Sequence, residues 1–338
     1  MKKSILMLGA IASLAMVACN NKPAESGEKE KYDVSWVSPV GIPTLAFYDQ
    51  GNNENWISSS APATDVVPAF AGDEVDAIVF DGFAGLKNVK VNHRNYKLAR
   101  WISGGTFYVV SVKHAATDAW DDSYTVQAFG NANTVATLAF DHLAKNVWNW
   151  GSMLGENDKV TIETGVDRVL GTLTNLASAE ADPYDYHLIA QPALLAATNQ
   201  LAAKGITLNV IYNLQKEWAA TYPGAIIPAA ALFVNVTNFS KHADEIEIFL
   251  NKTEERVINA VDHPEVAVNA LNEYAGGDMN KVQKRFGYQV GPVNLLQQNG
   301  ANGFNLLKKS DVPDRAALAN DFAEKIGQNI VFEGGLFL

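Results

Sequence analysis

Residues 32–49 read YDVSWVSPVGIPTLAFYD, and this stretch decides the fold class. Its first half has the composition of a strand, while Gly41 and Pro43 predict a tight turn that enters a short helix. The backbone N–H groups at the start of a helix have no partner within it, and the positive end of the helix dipole lies there. The turn is therefore suited to contact a ligand.

The same alternation of strand and helix continues along the chain and predicts an α/β protein. Helical spacing of apolar residues marks segments 64–75, 131–148, 166–179 and 192–205, and a further helix is expected after Ser240 as its N-cap. Between them lie apolar runs with strand character, at 55–60, 76–81, 96–102, 106–114, 123–130, 160–165, 184–192, 208–214 and 226–236.

The chain begins MKKSILMLGAIASLAMVACNN, and Cys19 is its single cysteine. The apolar run is too short to span a bilayer and is typical of a secretory signal peptide. Residues 16–19, Met-Val-Ala-Cys, resemble a bacterial lipobox, which implies that Cys19 becomes lipidated. The alternatives are a plain signal peptide with an incidental cysteine, or a buried structural cysteine. Residues 20–31 have linker composition, although an ordered polar arm is the other interpretation.

Composition excludes several classes of function. A formal net charge of −11 offers no basic field for nucleic acid or an anionic lipid surface. With one cysteine, a disulfide framework is not expected. The six histidines are scattered without metal-ligand spacing, and neither a G-x-S-x-G nucleophile elbow nor a P-loop occurs. We therefore expect no metal, no cofactor and no catalytic residues.

Five stretches of the sequence share one family resemblance: residues 38–46, 71–77, 128–131 and 226–234, and the pair Gln191 and Pro192. They resemble the solute-binding proteins of bacterial ABC importers, of the type that handles nitrate, sulfonates, taurine and thiamine-pyrimidine precursors. Residues 38–46 resemble the first strand and ligand loop of that family, and residues 71–77 resemble the approach to a strand at the cleft. Residues 128–131 resemble the ligand loop of the second lobe, and 226–234 the return strand. Gln191 and Pro192 stand where the family has a glutamate–proline pair, so one site residue departs from the pattern.

The resemblance implies a periplasmic-binding-protein type II fold, with two α/β lobes joined by two crossing strands and a ligand cleft between them. The expected organisation is a signal peptide at 1–18, a lipidated cysteine and linker at 19–31, lobe 1 at 32–112 plus 229–338, and lobe 2 at 113–228. The crossings are expected near Tyr108–His114 and Ile227–Val236. A ligand would bind at the carboxyl ends of the strands, as it does in open α/β sheets generally.

Candidate ligand contacts lie in the loops after the predicted strands, and each has a structural alternative. For glycine, proline and threonine in GIPT the alternative is a tight turn, for the serines it is a strand end, and for asparagine or threonine it is a helix cap. For the aspartate and the aromatic ring after the third strand the alternatives are a turn and a core residue. The candidates are Gly41, Pro43, Thr44, Ser58, Ser59, Asp81, Phe83, Asn131, Asn133, Thr134 and Gln191.

None of these loops contains arginine or lysine, the side chains that usually grip anions. A neutral, cationic or heterocyclic ligand is therefore favoured over a simple anion. The predicted function is an extracytoplasmic substrate-binding protein, anchored to the cell membrane by Cys19 alone, that delivers a small molecule to an ABC permease. The alternatives are a surface or signalling protein on the same fold, or an enzyme of the pyrimidine or quinone biosynthesis type.

Overall fold

The structure is a computed structural model that describes residues 32–60, 62–155, 159–288 and 304–338. The expected signal peptide, Cys19 and the linker lie outside the described residues. Asp33–Leu338 form one compact body by their contacts. In the part of the chain that is described, no helix is both long and apolar enough to cross a membrane.

The described residues form strands and helices in the predicted alternation. The strands are β1 (Trp36–Pro39), β2 (Trp56–Ser59), β3 (Ala77–Asp81), β4 (Tyr96–Gly104), β5 (Phe107–Ser111), β6 (Val126–Phe129), β7 (Val160–Glu163), β8 (Tyr186–Ala190), β9 (Asn209–Asn213) and β10 (Pro228–Asn235). The helices are α1 (Pro62–Gly72), α2 (Gly82–Asn92), α3 (Val135–Asn146), α4 (Val166–Thr174), α5 (Ala193–Ala202), α6 (Leu214–Thr221), α7 (Val236–Lys241), α8 (Ala243–Asp262), α9 (Pro264–Ala275), α10 (Met279–Phe286) and α11 (Arg315–Lys325). Short 3₁₀ helices cover Ile42–Phe47, Ala179–Ala181, Lys309–Asp311 and Gly334–Leu336.

The strands form two five-stranded sheets with the same plan. The first has the order β2-β1-β3-β10-β4, and the second has the order β7-β6-β8-β5-β9. In each sheet the first three strands are parallel, and the fourth runs antiparallel to its neighbours. The predicted α/β class with two lobes is confirmed. Lobe 1 here means the elements of the first sheet with α1, α2 and α7 to α11, and lobe 2 means the second sheet with α3 to α6.

The chain passes between the sheets at two adjacent points. The first passage lies between β4 and β5, at 104–107, and not at Tyr108–His114 as predicted; the lobe boundary near residue 112 is corrected accordingly. β5 pairs along its length with β8 and β9, so it belongs wholly to lobe 2. Glycine fits at this passage, because a Cβ on Gly104 would lie only 2.3 Å from the side-chain nitrogen Nδ2 of Asn305.

The second passage lies between α6 and β10, within one residue of the predicted lobe boundary at 228/229. Pro228 of β10 pairs with Gly104 of β4, so the two connections run side by side. A pair of adjacent connections is where a hinge between lobes is expected. The predicted second crossing strand, Ile227–Val236, corresponds to β10 and lies in the first sheet.

The cores of both lobes are built from the apolar strand faces and the helices that cover them. In lobe 1, Trp36 and Trp56 stack with ring centroids 6.1 Å apart, and both are buried. The segment after β10 covers this sheet, since Phe286 packs on Trp56 and Phe322 of α11 packs on Phe83. The predicted helix after Ser240 exists, but Ser240 is wrong as its cap: it lies inside α7, which Asn235 caps.

Candidate ligand-binding site between the lobes

The carboxyl ends of the parallel strands of both sheets meet at one junction. From lobe 1, the loop after β1 approaches the loop after β8, because a Cβ on Gly41 would lie 3.6 Å from Cδ of Pro192. The residue that ends β3, Asp81, accepts a hydrogen bond from the backbone N–H of Val135 in lobe 2, at 2.8 Å. Lys87 Nζ lies 3.4 Å from Asn133 Oδ1. Loops that follow β1, β3, β6 and β8 are thereby brought together.

The loop after β1 has a conformation that requires glycine. Gly41 has φ of 105°, a region that side chains other than glycine rarely adopt. Its carbonyl oxygen accepts hydrogen bonds from Thr44 and from the hydroxyl of Tyr288, at 2.7 Å. Pro43 follows at the start of the 3₁₀ helix and is partly exposed. Gly41 therefore lies at the face of lobe 1 that meets lobe 2, and Pro43 is two residues further along the chain.

Three other candidates in lobe 1 are held inside that lobe. The hydroxyl of Thr44 is buried and donates to the carbonyl oxygens of Gly41 and Phe286. The hydroxyl of Ser59 is bound to the carboxylate of Asp65. Phe83 is fully buried, with its ring packed edge-on against Phe322 and Phe332. For these residues the described contacts support the structural alternatives, namely a turn, a strand end and a core ring.

Ser58 is partly exposed, on strand β2 beside β1, and pairs with Ser38. This places it at the outer strand of the first sheet, one residue before the strand ends. The junction contacts described above come from β1 and β3, the strands nearer the middle of that sheet.

Asp81 lies between two helix N-termini. Its Oδ1 accepts from the N–H of Ala84 in α2 at 2.9 Å, and its Oδ2 accepts from Val135 in α3. The residue as a whole retains some solvent exposure, yet desolvation is the strongest influence on its carboxyl group. Burial raises the pKa of Asp81 to about 7, although its hydrogen bonds to backbone N–H groups oppose the shift.

The loop after β6 is organised by its own polar groups. Asn131 Oδ1 accepts from the N–H of Asn133 at 2.8 Å, and the hydroxyl of Thr134 donates to the Asn131 carbonyl oxygen at 3.0 Å. Thr134 is the N-cap residue of α3, but its side chain makes no capping hydrogen bond. Asn131 and Asn133 are exposed. Both asparagines stand where a ligand could reach them from solvent.

Gln191 begins the loop after β8 and is joined to Pro192 by a cis peptide bond. Its N–H donates to the carbonyl oxygen of Thr106, at the first passage between the sheets. Burial raises the pKa of Tyr108, although a side-chain hydrogen bond with Gln191 opposes the shift. The side-chain oxygen Oε1 of Gln191 is buried and has no hydrogen-bond partner among the described residues. A buried acceptor without a donor is costly, so this atom is suited to receive a hydrogen bond from a ligand.

Three participants in the junction were not among the sequence candidates: Val135, Lys87 and Pro192. Val135 contributes a backbone N–H, and its position as first residue of α3 was visible as a helix start. Lys87 is on α2, six residues beyond Asp81, and gave no signal of its own. In the sequence, Pro192 stands out only as the partner of Gln191 in the family-like pair.

Two cavities formed by described residues lie away from this junction. One, of about 620 Å³, is lined by residues 221–226 and by α11 with the segment before it. The other, of about 920 Å³, lies beside the buried ion pair of Arg100 and Glu254. Neither is lined by a sequence candidate. Within the described ranges no group of histidine, cysteine and acidic side chains is placed to hold a metal ion.

No protein-family model and no curated protein sequence matches the chain. Solved structures do. One described as an ABC transporter from Parabacteroides distasonis is 15% identical, with a TM-score of 0.57, and the match covers 90% of this chain and 98% of that one. The alkanesulfonate-binding protein of Xanthomonas axonopodis pv. citri, solved with bound MOPS, is 11% identical, with a TM-score of 0.55 and coverage of 90% and 97%.

A third similar structure is a gene product of Candida albicans, reported to define a family with the generic periplasmic binding protein fold. It is 8% identical, with a TM-score of 0.57, and the match covers 90% of this chain and 93% of that one. Identities this low establish the fold and no more. Together with the two sheets of matching plan and the two adjacent passages between them, they show that this chain has the periplasmic binding protein fold.

Proposed function

We propose that this protein is an extracytoplasmic substrate-binding protein that captures a small molecule between its lobes and delivers it to the permease of an ABC importer. The observation that carries the proposal is the meeting of strand-end loops from both sheets at one junction, through Asp81 with Val135 and Gly41 with Pro192. Ligands of open α/β sheets bind at such strand ends. Contacts to both lobes would favour the closed arrangement when ligand is bound.

The proposed ligand contacts are the residues of the junction that keep accessible or unpartnered groups. These are Pro43, Asn131, Asn133 and Gln191. We propose a neutral, cationic or heterocyclic ligand, because the strand-end loops contain no arginine or lysine and Gln191 presents an acceptor. The ammonium group of Lys87, on α2, already contacts Asn133 Oδ1. Two of the similar structures named above are described as an ABC transporter and an alkanesulfonate-binding protein, which supports a role without catalysis.

Native mass spectrometry of the body from Asn20 onward, purified from its own host, tests this proposal. We expect a native mass above the denatured mass, lost on denaturation, that identifies the ligand. If no excess mass is found, a thermal-shift panel follows, since a ligand at 100 times its dissociation constant stabilises by about 2.7 kcal/mol. Failure of both would contradict ligand capture.

We further propose that Cys19 is lipidated and anchors the protein to the outer face of the cell membrane. The proposal rests on the lipobox-like residues 16–19 and the polar linker that follows. Stable anchoring by acyl chains needs more than one chain or a second signal.

Replacing Cys19 with serine is expected to move nearly all of the protein from the membrane fraction to the soluble extracytoplasmic fraction. Incorporation of an alkyne-labelled fatty acid should be lost in parallel, because the thiol that accepts the lipid is gone. Asn21→Ala, two residues away, is the matched control and should stay in the membrane fraction. A Cys19→Ser protein that remains labelled and membrane-bound would refute the anchor.

An enzymatic role finds less support. Among histidine–carboxylate pairs in the described part of the chain, the shortest joins His187 Nε2 to Asp182 Oδ2 at 2.7 Å. Both side chains are fully buried, and His187 also contacts Gln127. A pair without solvent access stabilises lobe 2 and is not placed to meet a substrate.

A further inference from the structure

We propose that Asp81 determines the ligand specificity of the interlobe site. Its carboxylate occupies the N-terminus of α3 from the opposite lobe, so that the site rejects anions and admits neutral or cationic ligands that donate hydrogen bonds. This inference rests on the proposed binding function and assigns its selectivity to one side chain.

The carboxylate of Asp81 accepts hydrogen bonds from the N-termini of two helices. Asp81 Oδ1 caps its own helix α2 through Ala84, and Oδ2 receives the N–H of Val135, the first residue of α3 and 54 positions further along the chain. A helix N-terminus is where an anionic ligand group is usually stabilised, through free N–H groups and the helix dipole. In this protein an anion belonging to the chain itself takes that position.

The start of α3 lacks a cap from its own segment, which leaves the position to Asp81. The side chain of Thr134, the residue that would normally cap α3, makes no hydrogen bond to the helix N–H groups. Its hydroxyl donates to the Asn131 carbonyl oxygen and also contacts the hydroxyl of Thr137. Val135 is buried, so its N–H would be left unpaired in the closed arrangement if Asp81 were removed.

One further polar group of the junction agrees with a ligand that donates a hydrogen bond. Gln191 Oε1 is a buried acceptor without a described partner. When the Asp81 carboxyl group is ionised, above about pH 7, its negative charge repels a second negative charge placed beside it. Neutral and cationic ligands avoid this repulsion.

Asp81→Ser tests the assignment, with sulfate as the probe. Serine is a good N-cap and can keep the start of α2, but it is uncharged and too short to replace the bond to Val135. Titration calorimetry at about pH 8.5, where Asp81 is ionised, compares sulfate with chloride at equal ionic strength. We expect the variant to gain affinity for sulfate by about tenfold or more, because one hydrogen bond to a charged group has that strength.

Two further variants locate the effect. Asp314→Ser is the matched control: Asp314 caps α11 through the N–H of Ala317, also at 2.9 Å, but it is exposed and does not reach the other lobe. It should gain no sulfate affinity. Val135→Pro in the Asp81→Ser background removes the N–H in question; proline suits the first helical position, and Thr134 already has extended backbone angles. This double variant should lose the gain.

Sulfate binding that is unchanged in Asp81→Ser, or a gain that survives Val135→Pro, would overturn the assignment. Circular dichroism establishes that each variant is folded. The result is separable from the receptor function itself: if native mass spectrometry and the thermal-shift panel both find no ligand while the sulfate gain is present, the receptor proposal fails, and the gain shows only that Asp81 excludes anions from the start of α3. If a ligand is found and it is an anion held at Val135, the role of Asp81 fails and the receptor proposal stands.

Discussion

Replacing Trp218 with alanine is expected to lower the free energy of unfolding by about 3–5 kcal/mol, the range for removing a fully buried large aromatic side chain. Trp218 is fully buried on α6 of lobe 2. Its ring lies 5.1 Å from Tyr222 and 5.4 Å from Phe322 of α11, measured between centroids. Because Phe322 also packs on Phe83 of α2, this ring joins the cores of the two lobes.

Trp218→Phe is the matched control for that prediction. The indole nitrogen of Trp218 is buried without a hydrogen-bond partner among the described residues, so phenylalanine sacrifices packing volume but no hydrogen bond. We expect it to cost much less than alanine. Urea unfolding followed by circular dichroism measures both. If the free energy of unfolding of Trp218→Ala lies within about 1 kcal/mol of the wild-type value, the Trp218 ring does not contribute to core packing as predicted.

Asp81→Asn is expected to change how stability depends on pH. Burial raises the pKa of Asp81 to about 7 in the folded protein, from its ordinary value of 3.8. The folded state therefore binds the proton more tightly than the unfolded state. The stability this confers on the wild type is fully present below about pH 4 and is lost as the pH rises through about 7. Asparagine does not titrate, so the variant lacks this pH-dependent contribution to stability.

The measurement is the difference in unfolding free energy between wild type and Asp81→Asn at two pH values. Between about pH 8 and pH 5 the wild type should gain on the order of 2 kcal/mol relative to the variant, after allowance for the partial exposure of Asp81. Titrations common to both proteins cancel in this difference. Asp81→Ser must reproduce the trend, because it removes the same group. A difference that is flat with pH, or that falls at low pH, would contradict the burial of this carboxyl in the folded protein.

The order of elements could be predicted from the sequence because each strand and helix is a local pattern. The apolar run at 76–81 became β3, and residues 131–148 contain α3, as periodicity indicated. The turn at Gly41 was also local: it needs a positive φ that glycine supplies. Fold class and lobe plan followed from this order together with the family resemblance.

The sequence predicted the first passage between the sheets several residues too late, because strand pairing depends on residues that are distant in sequence. Residues 106–114 look like one strand, and only their partners β8 and β9 assign them to lobe 2. For the same reason the sequence could nominate Thr44 and Ser59 but could not see that their hydroxyls are bound within lobe 1. The contact of Asp81 with Val135 joins residues from different lobes, so no local sequence pattern could predict it.

The most direct test of ligand capture between the lobes is a distance measurement across them. Because the single cysteine, Cys19, lies before the body, Val91→Cys on α2 and Lys145→Cys on α3 give two unique, exposed sites for nitroxide labels in protein that starts at Asn20. Double electron–electron resonance then compares protein stripped of ligand by unfolding and refolding with the same protein after its ligand is returned. Ligand capture predicts a distance distribution that shifts and narrows when ligand is added. A bound ligand, verified by native mass, that leaves the distribution unchanged would contradict closure of the lobes around it.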